Sequence, residues 1–495
     1  LIGIFVRKEK SVRALMGTTV ICATVLAVLF GSTAGAFPHD DTDSRLRGLE
    51  ARLRPQDDEI GRLREALGEQ QASSESLESE LANFLAKAED SNWWQEKDTM
   101  RAYYKQGLHF ETADQVFKLQ IGGRIFADWA WYDEDYESSG YSEQAPGKSE
   151  LEESHGWDDQ IKMCSARLFM AGSLYKNTFF KAEFDFAGGD ADFKDVYLGL
   201  TNVPTLANIR IGNQKMPFSL EALTSSRFQT FMGRAMAVQA FAPGRQHGVM
   251  FYDAPCDGQW TWAFGLSGDS NDYGNGTTDK SLYLRIAGAP IYEPKAEEYT
   301  VVQIGGSLAY RRQNNDQWRF GTSPESCPAP DVVDTGYFEA EHGLFWGLEA
   351  LVIYGPFSFQ AEYMVADMDA DHYDDPAFSG WYAYASFFLT EGDRRYWGNT
   401  IGQRVFPKTL FHDDPGTGAV ELALRYSDVD LDDEDVYGGE ADTWTIGINW
   451  YLNSQTRVML NYIWGDVDHD SHSRGINGGY LDDIDVFQIR FQIDF

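Results

Sequence analysis

The sequence predicts an all-β transmembrane barrel of about 16 antiparallel strands, preceded by an N-terminal α-helical coiled coil. Two observations predict the barrel: segments of alternating apolar and polar residues recur along the chain, and short turns alternate with long acidic loops. Successive side chains of a strand point to opposite faces, so such a segment has one apolar and one polar side. A soluble β-sandwich has similar strands. Full charges on the polar faces and Trp and Tyr near the strand ends favour the barrel, with a watery lumen.

The C-terminal strand has the clearest alternation. Residues 486–495 alternate Phe, Ile or Val with polar residues and close on Phe495, which resembles the assembly signal of bacterial outer-membrane barrels. The 380 residues of the predicted barrel, 116–495, give about 24 residues per strand and connection. The same alternation recurs at 117–129, 180–186, 357–365, 444–452 and 458–464.

The first 36 residues are typical of a secretory signal peptide. A basic start is followed by an apolar stretch at 20–30 and by the small residues Ala34 and Ala36. The apolar stretch has about half the length of a spanning helix. We therefore expect residues 1–36 to be removed and the mature chain to be exported to the bacterial outer membrane.

Residues 37–92 have the spacing of a helix rather than a strand. Positions three or four residues apart from Leu46 to Ala88 are apolar except for Gln56, Gln70 and Ser74, although Pro55 interrupts the pattern. This predicts a periplasmic coiled coil, with a single amphipathic helix as the alternative. A parallel coiled coil joins identical chains, so a homo-oligomer is expected. Residues 93–115 are interpreted as the junction with the barrel.

Charge and cysteine content exclude several classes of protein. Lys and Arg number 41 against 77 Asp and Glu, a net charge of −36 that would repel a nucleic-acid backbone. Removal of the signal leaves Cys164, Cys256 and Cys327, without the spacing of a zinc ribbon or of a disulfide framework. One pair is able to form a disulfide in an oxidising compartment, and the sequence leaves open which.

One segment departs from the acidic average. Residues 201–252 contain five basic residues and a single acid, Glu221. The apolar residues of its long loop predict that the loop folds into the barrel, where its charges would favour anions. The alternative is that these arginines only pair with lumen acids such as Glu183 and Asp185. The predicted anion-binding residues are Arg210, Lys215, Arg227, Arg234 and Arg245, and the predicted lumen-facing residues are Lys118, Arg124, Lys181, Arg425 and Arg490.

The same loop resembles a known family. Residues 212–226, Gly-Asn-Gln-Lys-Met-Pro-Phe-Ser-Leu-Glu-Ala-Leu-Thr-Ser-Ser, with 231–234 and 244–248, are similar to the constriction loop of the phosphate-selective porin O/P family. Segments 385–391, 418–427 and 446–453 resemble its later strands. The resemblance implies a trimeric 16-stranded outer-membrane channel with an inward third loop, inserted by the barrel assembly machinery. It also adds Ser225 and Ser226 to the anion-binding residues.

Two departures from the family pattern bear on selectivity. Its phosphate-specific members carry a lysine directly after the Glu of this loop, where the present chain has Ala222. An Arg-Arg pair of those members is matched by Cys164 and Ser165. The resemblance with these departures implies a channel for a broader set of small anions, since a shared fold does not fix the substrate.

The remaining patterns give no enzyme or cofactor site. The segment 305–309 lacks the second glycine of a nucleophile elbow, and the acidic runs lack the offsets of a calcium loop. We therefore expect no catalytic residue, metal or cofactor. The alternative function is a general or cation-preferring diffusion porin that also tethers the outer membrane to the cell wall. The expected partners are small anions and outer-membrane lipids, with peptidoglycan as a further candidate for the coiled coil.

Overall fold

A computed structural model describes residues 100–137, 157–271, 275–313, 316–370, 374–413, 416–468 and 480–495. The predicted signal peptide and coiled coil lie outside these residues, as does the start of the predicted junction. All described residues belong to one compact unit, Met100–Phe495. The helices in the described residues are too short or too polar to cross a membrane.

Sixteen strands close into one antiparallel barrel, which confirms the predicted barrel and its number of strands. A hairpin precedes the barrel, and short strands and two short helices lie in its connections. The bounds are β1 Met100–Tyr104, β2 Leu108–Thr112, β3 Phe117–Glu137, β4 Gln160–Leu174, β5 Thr178–Asp185, β6 Asp192–Val203, β7 Ala207–Lys215, α1 Leu220–Leu223, α2 Met236–Phe241, β8 Arg245–Asp253, β9 Trp260–Asn271, β10 Asn275–Glu293, β11 Thr300–Arg311, β12 Gln317–Trp318, β13 Gly321–Thr322, β14 Val333–Asp334, β15 Phe338–Glu339, β16 His342–Tyr354, β17 Phe357–Asp369, β18 Ala377–Phe388, β19 Tyr396–Gly398, β20 Ile401–Gln403, β21 Ala419–Asp433, β22 Val436–Tyr451, β23 Thr456–Asp468 and β24 Tyr480–Asp494.

The alternation of side chains sets the inner and outer faces of the wall. In β23, Arg457 and Asn461 are buried inside, whereas Tyr462 is exposed on the outer face. An apolar outer face suits lipid, and the closed ladder leaves no unpaired strand edge in the hydrocarbon. The strands thus follow the period-2 pattern of the sequence.

The barrel closes at the C-terminus, where β24 pairs with β3. The backbone of Phe495 exchanges two hydrogen bonds with Gly123, at 2.8 and 3.0 Å. Beyond this point, β2 pairs with the edge of β3 that β24 occupies further along, and Leu108 lies opposite Ile121. The β1–β2 hairpin, which lies in the predicted junction, therefore continues the wall past the end of the last strand.

Three connections fold into the barrel. The basic loop, 216–244, joins β7 to β8, and the disulfide loop, 312–341, joins β11 to β16. The hairpin loop, 389–418, joins β18 to β21 and contains β19 and β20. Because neighbouring strands alternate in direction, the basic and disulfide loops start from one end of the barrel and the hairpin loop from the other.

Much of the interior is packed rather than open. Phe241 of the basic loop and Phe320 and Phe338 of the disulfide loop pack on Phe345 and Phe378 of the wall. This cluster fills the side of the barrel formed by β16–β18 and β21–β24. The expectation of a watery lumen is therefore wrong for that side.

A disulfide joins the two sides. Cys164 in β4 is bonded to Cys327 in the disulfide loop, across 163 residues of sequence. This answers the question that the sequence left open.

Candidate solute pathway

A cavity of about 680 Å³ remains between β3–β10 and the three inward loops. Ten cationic and four acidic side chains line it. The cations are Arg124, Arg167, Lys181, Arg210, Lys215, Arg227, Arg234, Arg245, Arg285 and Arg490, and the acids are Glu183, Asp195, Asp253 and Glu325. A net positive lining lies within a strongly negative protein.

The basic loop is fixed by a buried carboxylate of the wall. Glu362 in β17 accepts hydrogen bonds from the N–H groups of Leu220 and Glu221, each at 2.8 Å, and from Ser219 Oγ at 3.2 Å. The first N–H groups of a helix have no partner within the helix, so an external acceptor stabilises α1 in this position. The loop is thereby held on the wall and not extended into solvent.

Glu221, the one acid of the segment 201–252, points inward. It accepts a hydrogen bond from the Ala235 N–H at 3.0 Å and lies 3.4 Å from the Arg425 guanidinium. Burial raises the pKa of the Glu221 carboxyl, although Arg425 opposes this shift. This acid therefore ties the two helical turns of the loop together.

The disulfide loop crosses over the basic loop at Glu325. The Glu325 carboxylate is bonded to Arg425 and accepts a hydrogen bond from Thr445 Oγ1 at 2.7 Å. A Cβ on Gly233 would lie 1.9 Å from the Glu325 carbonyl oxygen, so only glycine allows this approach of the two backbones. The disulfide loop covers part of the cavity, which is lined by its residues 323 and 325–327.

Most cations on the wall of β3–β8 are paired with acids. Arg124 and Arg167 share Glu183, and Arg167 also lies 2.6 Å from Asp185. Lys181 bridges Glu183 and Asp195 at 2.5 and 2.6 Å. Arg245 lies 2.6 Å from Asp195. For these cations the structure has the arrangement of the alternative hypothesis, in which lumen acids neutralise them.

Arg425 and Arg490 are buried anchors rather than water-facing charges. Arg490 forms two bonds with Asp128, at 2.7 and 2.6 Å, and donates to the Met232 carbonyl at 2.9 Å. Arg425 is fully buried between Glu221 and Glu325. Both face inward, and Arg490 lines the cavity, but they hold loops and their charge is compensated.

Three cations of the cavity have no carboxylate within 4.0 Å among the described residues: Arg210, Lys215 and Arg234. The Lys215 ammonium donates to the carbonyls of Ala222 and Thr224, the latter at 3.3 Å. Arg234 donates to the same Ala222 carbonyl at 3.3 Å. Burial lowers the pKa of the Arg234 guanidinium, but arginine stays charged in proteins. These three cations leave net positive charge in the cavity.

The other predicted residues are also placed by the structure. Arg227 lies 3.7 Å from Asp494, and burial lowers the pKa of its guanidinium. Ser226 Oγ accepts from Arg124 at 2.7 Å, and Ser225 Oγ accepts from Arg227 at 3.4 Å. Lys118 is exposed and donates to Gln115 at 3.3 Å, away from the cavity. Apart from Lys118 and Arg425, all the predicted site residues line the cavity.

Two lining arginines were absent from the sequence prediction. Arg167 belongs to the network around Glu183. Arg285 forms a two-pronged pair with Glu349, at 2.9 and 2.6 Å, and donates to Thr400 of the hairpin loop. Each is a charged residue in a strand of alternating apolar and polar residues, so the alternation could have identified both as facing the interior of the barrel.

Comparison with known proteins identifies the family. The family model "Phosphate-selective porin O and P" matches residues 150–495. Porin O of Pseudomonas aeruginosa is 24% identical over 429 residues, 79% of this chain and 91% of its own. An uncharacterised protein of Caulobacter vibrioides is 26% identical over 404 residues, 79% of this chain and 76% of its own.

Solved porins are similar to this chain at low sequence identity. The anion-selective porin of Comamonas acidovorans is 14% identical with a TM-score of 0.45, covering 77% of this chain and all of the porin. A loop-deletion mutant of OmpT from Vibrio cholerae is 11% identical with a TM-score of 0.47, with the same coverage. The family match spans most of the chain, including β4 to β24 and the whole cavity except its β3 residues. The chain is therefore an outer-membrane porin that belongs to the phosphate-selective porin O and P family.

Proposed function

We propose that this porin mediates the passive diffusion of small anions through the cavity beneath the disulfide loop. The observation that carries the proposal is the excess of cations in the cavity. Arg210, Lys215 and Arg234 have no carboxylate partner among the described residues, whereas each of the other lining cations has one, either in the lining or behind it. A pore selects ions by the field at its narrow part, so these three charges favour anions over cations.

The negative charge of the whole protein does not oppose this selectivity. Screening at ordinary salt removes interactions between exposed charges beyond about 8–10 Å. Charges inside a low-dielectric cavity are screened less and act on the solute at short range. The acidic loop ends would lower the anion concentration at the mouth without reversing the preference of the cavity.

The position of Ala222 supports a broad anion specificity. Phosphate is in the name of the family, and its phosphate-specific members place a lysine there. In this chain, Lys215 and Arg234 direct their charges to the Ala222 carbonyl. Positive charge is thus retained near residue 222. Because Lys215 and Arg234 already donate hydrogen bonds to backbone carbonyls, fewer of their donors remain for a solute than a lysine at position 222 would offer. Phosphate is one of several expected solutes.

The assembly and attachment of the porin are part of the same proposal. We expect a homotrimer whose N-terminal coiled coils associate in the periplasm, with insertion by the barrel assembly machinery through Phe495. Outer-membrane lipids would cover the apolar outer faces of the barrels. The family relatives are channels, and the transport proposed needs no catalytic group or cofactor.

The test is the reversal potential of the purified porin in a planar bilayer across a KCl gradient. An anion-selective reversal is expected, and Lys215→Gln and Arg234→Gln should each shift it towards the cation side. Arg101→Gln is the matched control, because Arg101 lies on the exposed hairpin strand β1 and its replacement removes the same charge. A cation-selective wild type would contradict the proposal and favour the general diffusion porin.

A further inference from the structure

Arg210 differs from the other cations of the cavity in its surroundings. Its guanidinium carbon lies 4.7 Å from the ring centre of Tyr197 and 5.1 Å from that of Tyr252. All three side chains project from neighbouring strands, β6, β7 and β8, and Arg210 and Tyr252 line the cavity. A cation beside aromatic rings is stabilised by the negative faces of the rings without being neutralised.

The hydrogen-bonding capacity of Arg210 is almost unused. Its Nη2 reaches only the Met250 sulphur, a weak acceptor, at 3.9 Å. Its Nε is buried without a hydrogen-bond partner. By contrast, the Arg285 guanidinium is fully engaged by Glu349 and Thr400. An arginine has five N–H donors in a planar fork that matches a carboxylate, so Arg210 has donors available for a solute.

Arg210 is also separated from the other unpaired cations. It lies five residues before Lys215 on β7, and Gly212, whose φ of +137° interrupts the regular strand, lies between them. Lys215 shares the Ala222 carbonyl with Arg234, so that end of the cavity combines two charges. The cavity therefore offers unpaired positive charge at two levels of different chemistry.

The chemistry of the Arg210 level favours one class of anion. A single guanidinium matches the charge of a monocarboxylate and its two oxygens. The ring of Tyr252 and the side chain of Met250, which both line the cavity, offer apolar contact to the body of the solute, and the ring of Tyr197 lies against the Arg210 guanidinium. A multivalent, strongly hydrated anion gains nothing from these apolar groups and is better served by the two charges near Ala222.

We propose that Arg210, Tyr197 and Tyr252 form a binding station for organic monocarboxylates with a planar apolar body. This inference rests on the proposed anion channel and deepens it, because it adds a second level of selectivity. The two levels lie in series along one cavity. A carboxylate held at each in turn passes between sites that bind weakly enough to release it, as conduction requires.

The test is the block of chloride current through single channels by benzoate, acetate and phosphate. In the wild type, benzoate should reduce the current at about a tenfold lower concentration than acetate, which corresponds to the contribution of the rings. Arg210→Gln and Arg210→Lys should each remove this difference. Arg210→Lys retains the charge but loses the planar fork, so this variant tests the geometry of the guanidinium separately from its charge.

The controls separate this station from the proposed function. Arg101→Gln should keep the benzoate preference, and Tyr252→Ala should reduce it with Arg210 in place; the latter variant carries the test if the Arg210 variants do not insert. Equal block by benzoate and acetate in an anion-selective wild type would overturn the station alone. Full retention of the preference in Arg210→Lys or Tyr252→Ala would overturn it as well. A cation-selective wild type would instead overturn the anion channel itself.

Discussion

Cys164 in β4 is covalently joined to Cys327 of a loop whose Glu325 is bonded to Arg425 on the opposite wall. A single residue, Ser326, separates the two attachments, and this part of the loop lines the cavity. One attachment is covalent and the other is an ion pair, so chemical reduction acts on only one of them. Reduction would therefore release the disulfide loop from β4 and leave its ion pair with Arg425 in place.

Reduction of the Cys164–Cys327 disulfide should enlarge the channel. Cys327 would be free to move away from β4, while Glu325, two residues before it, stays paired with Arg425. We expect higher single-channel conductance and greater current noise on addition of a phosphine reductant. The Cys164→Ser/Cys327→Ser double variant should show the larger conductance without the reductant. An unchanged conductance in both experiments would mean that the disulfide does not restrict the pathway.

A methyl group at Gly233 should destabilise the crossing of the two loops. Its Cβ would lie 1.9 Å from the Glu325 carbonyl oxygen, so one backbone has to move. Gly233→Ala should lower the free energy of unfolding by about 1–3 kcal/mol, as overpacking does. Denaturant titration of the folded porin measures this. Gly244→Ala is the control, since its Cβ has no atom within 4 Å, and an equal loss in both variants would contradict the structure.

Replacement of Glu362 should loosen the basic loop. The carboxylate satisfies two N–H groups at the start of α1, and an amide in its place offers one acceptor and directs N–H groups at donors. Glu362→Gln should cost about 1–3 kcal/mol and increase open-channel noise. The control Glu341→Gln affects an exposed ion pair with Arg312. Quiet channels of wild-type stability in the Glu362 variant would contradict this anchoring.

Glu221 should give the stability a specific dependence on pH. Burial holds the pKa of its carboxyl above the ordinary value, so the folded protein binds this proton more tightly than the unfolded chain. The contribution of this proton to stability is complete below the ordinary pKa of about 4.3. It is lost as the pH rises through the elevated pKa. The difference in unfolding free energy between wild type and Glu221→Gln, measured against pH, should follow this course, and a flat difference would contradict the shift.

The barrel was predictable from the sequence because strand alternation is local. Each residue of β23 or β24 changes face with its neighbour, so the inner and outer sets can be read from a few residues. The basic loop was identifiable by its unusual charge and apolar content. The composition of the hairpin loop does not distinguish it from a connection that stays outside the barrel. In the structure, Arg395 and Arg404 anchor it inside the barrel to Glu421 and Asp494.

The roles of individual charges were harder to predict. Alternation places both Arg210 and Arg425 on the inner face. Only the tertiary structure shows that tyrosines surround Arg210 and that acids of the inward loops surround Arg425. Lys118 has the correct parity but lies outside the cavity. The disulfide partners are 163 residues apart, and a local sequence pattern does not predict contacts over such a separation.

The β1–β2 hairpin also gives the barrel a mechanical property. Met100 lies opposite Thr112, and β2 in turn is hydrogen-bonded to β3 beside the end of β24. Backbone hydrogen bonds in an antiparallel ladder run across the strands. A pulling force along β1 thus loads these bonds in shear, together rather than one after another. The first spanning strand is shielded from tension by a short ladder that has to rupture before it.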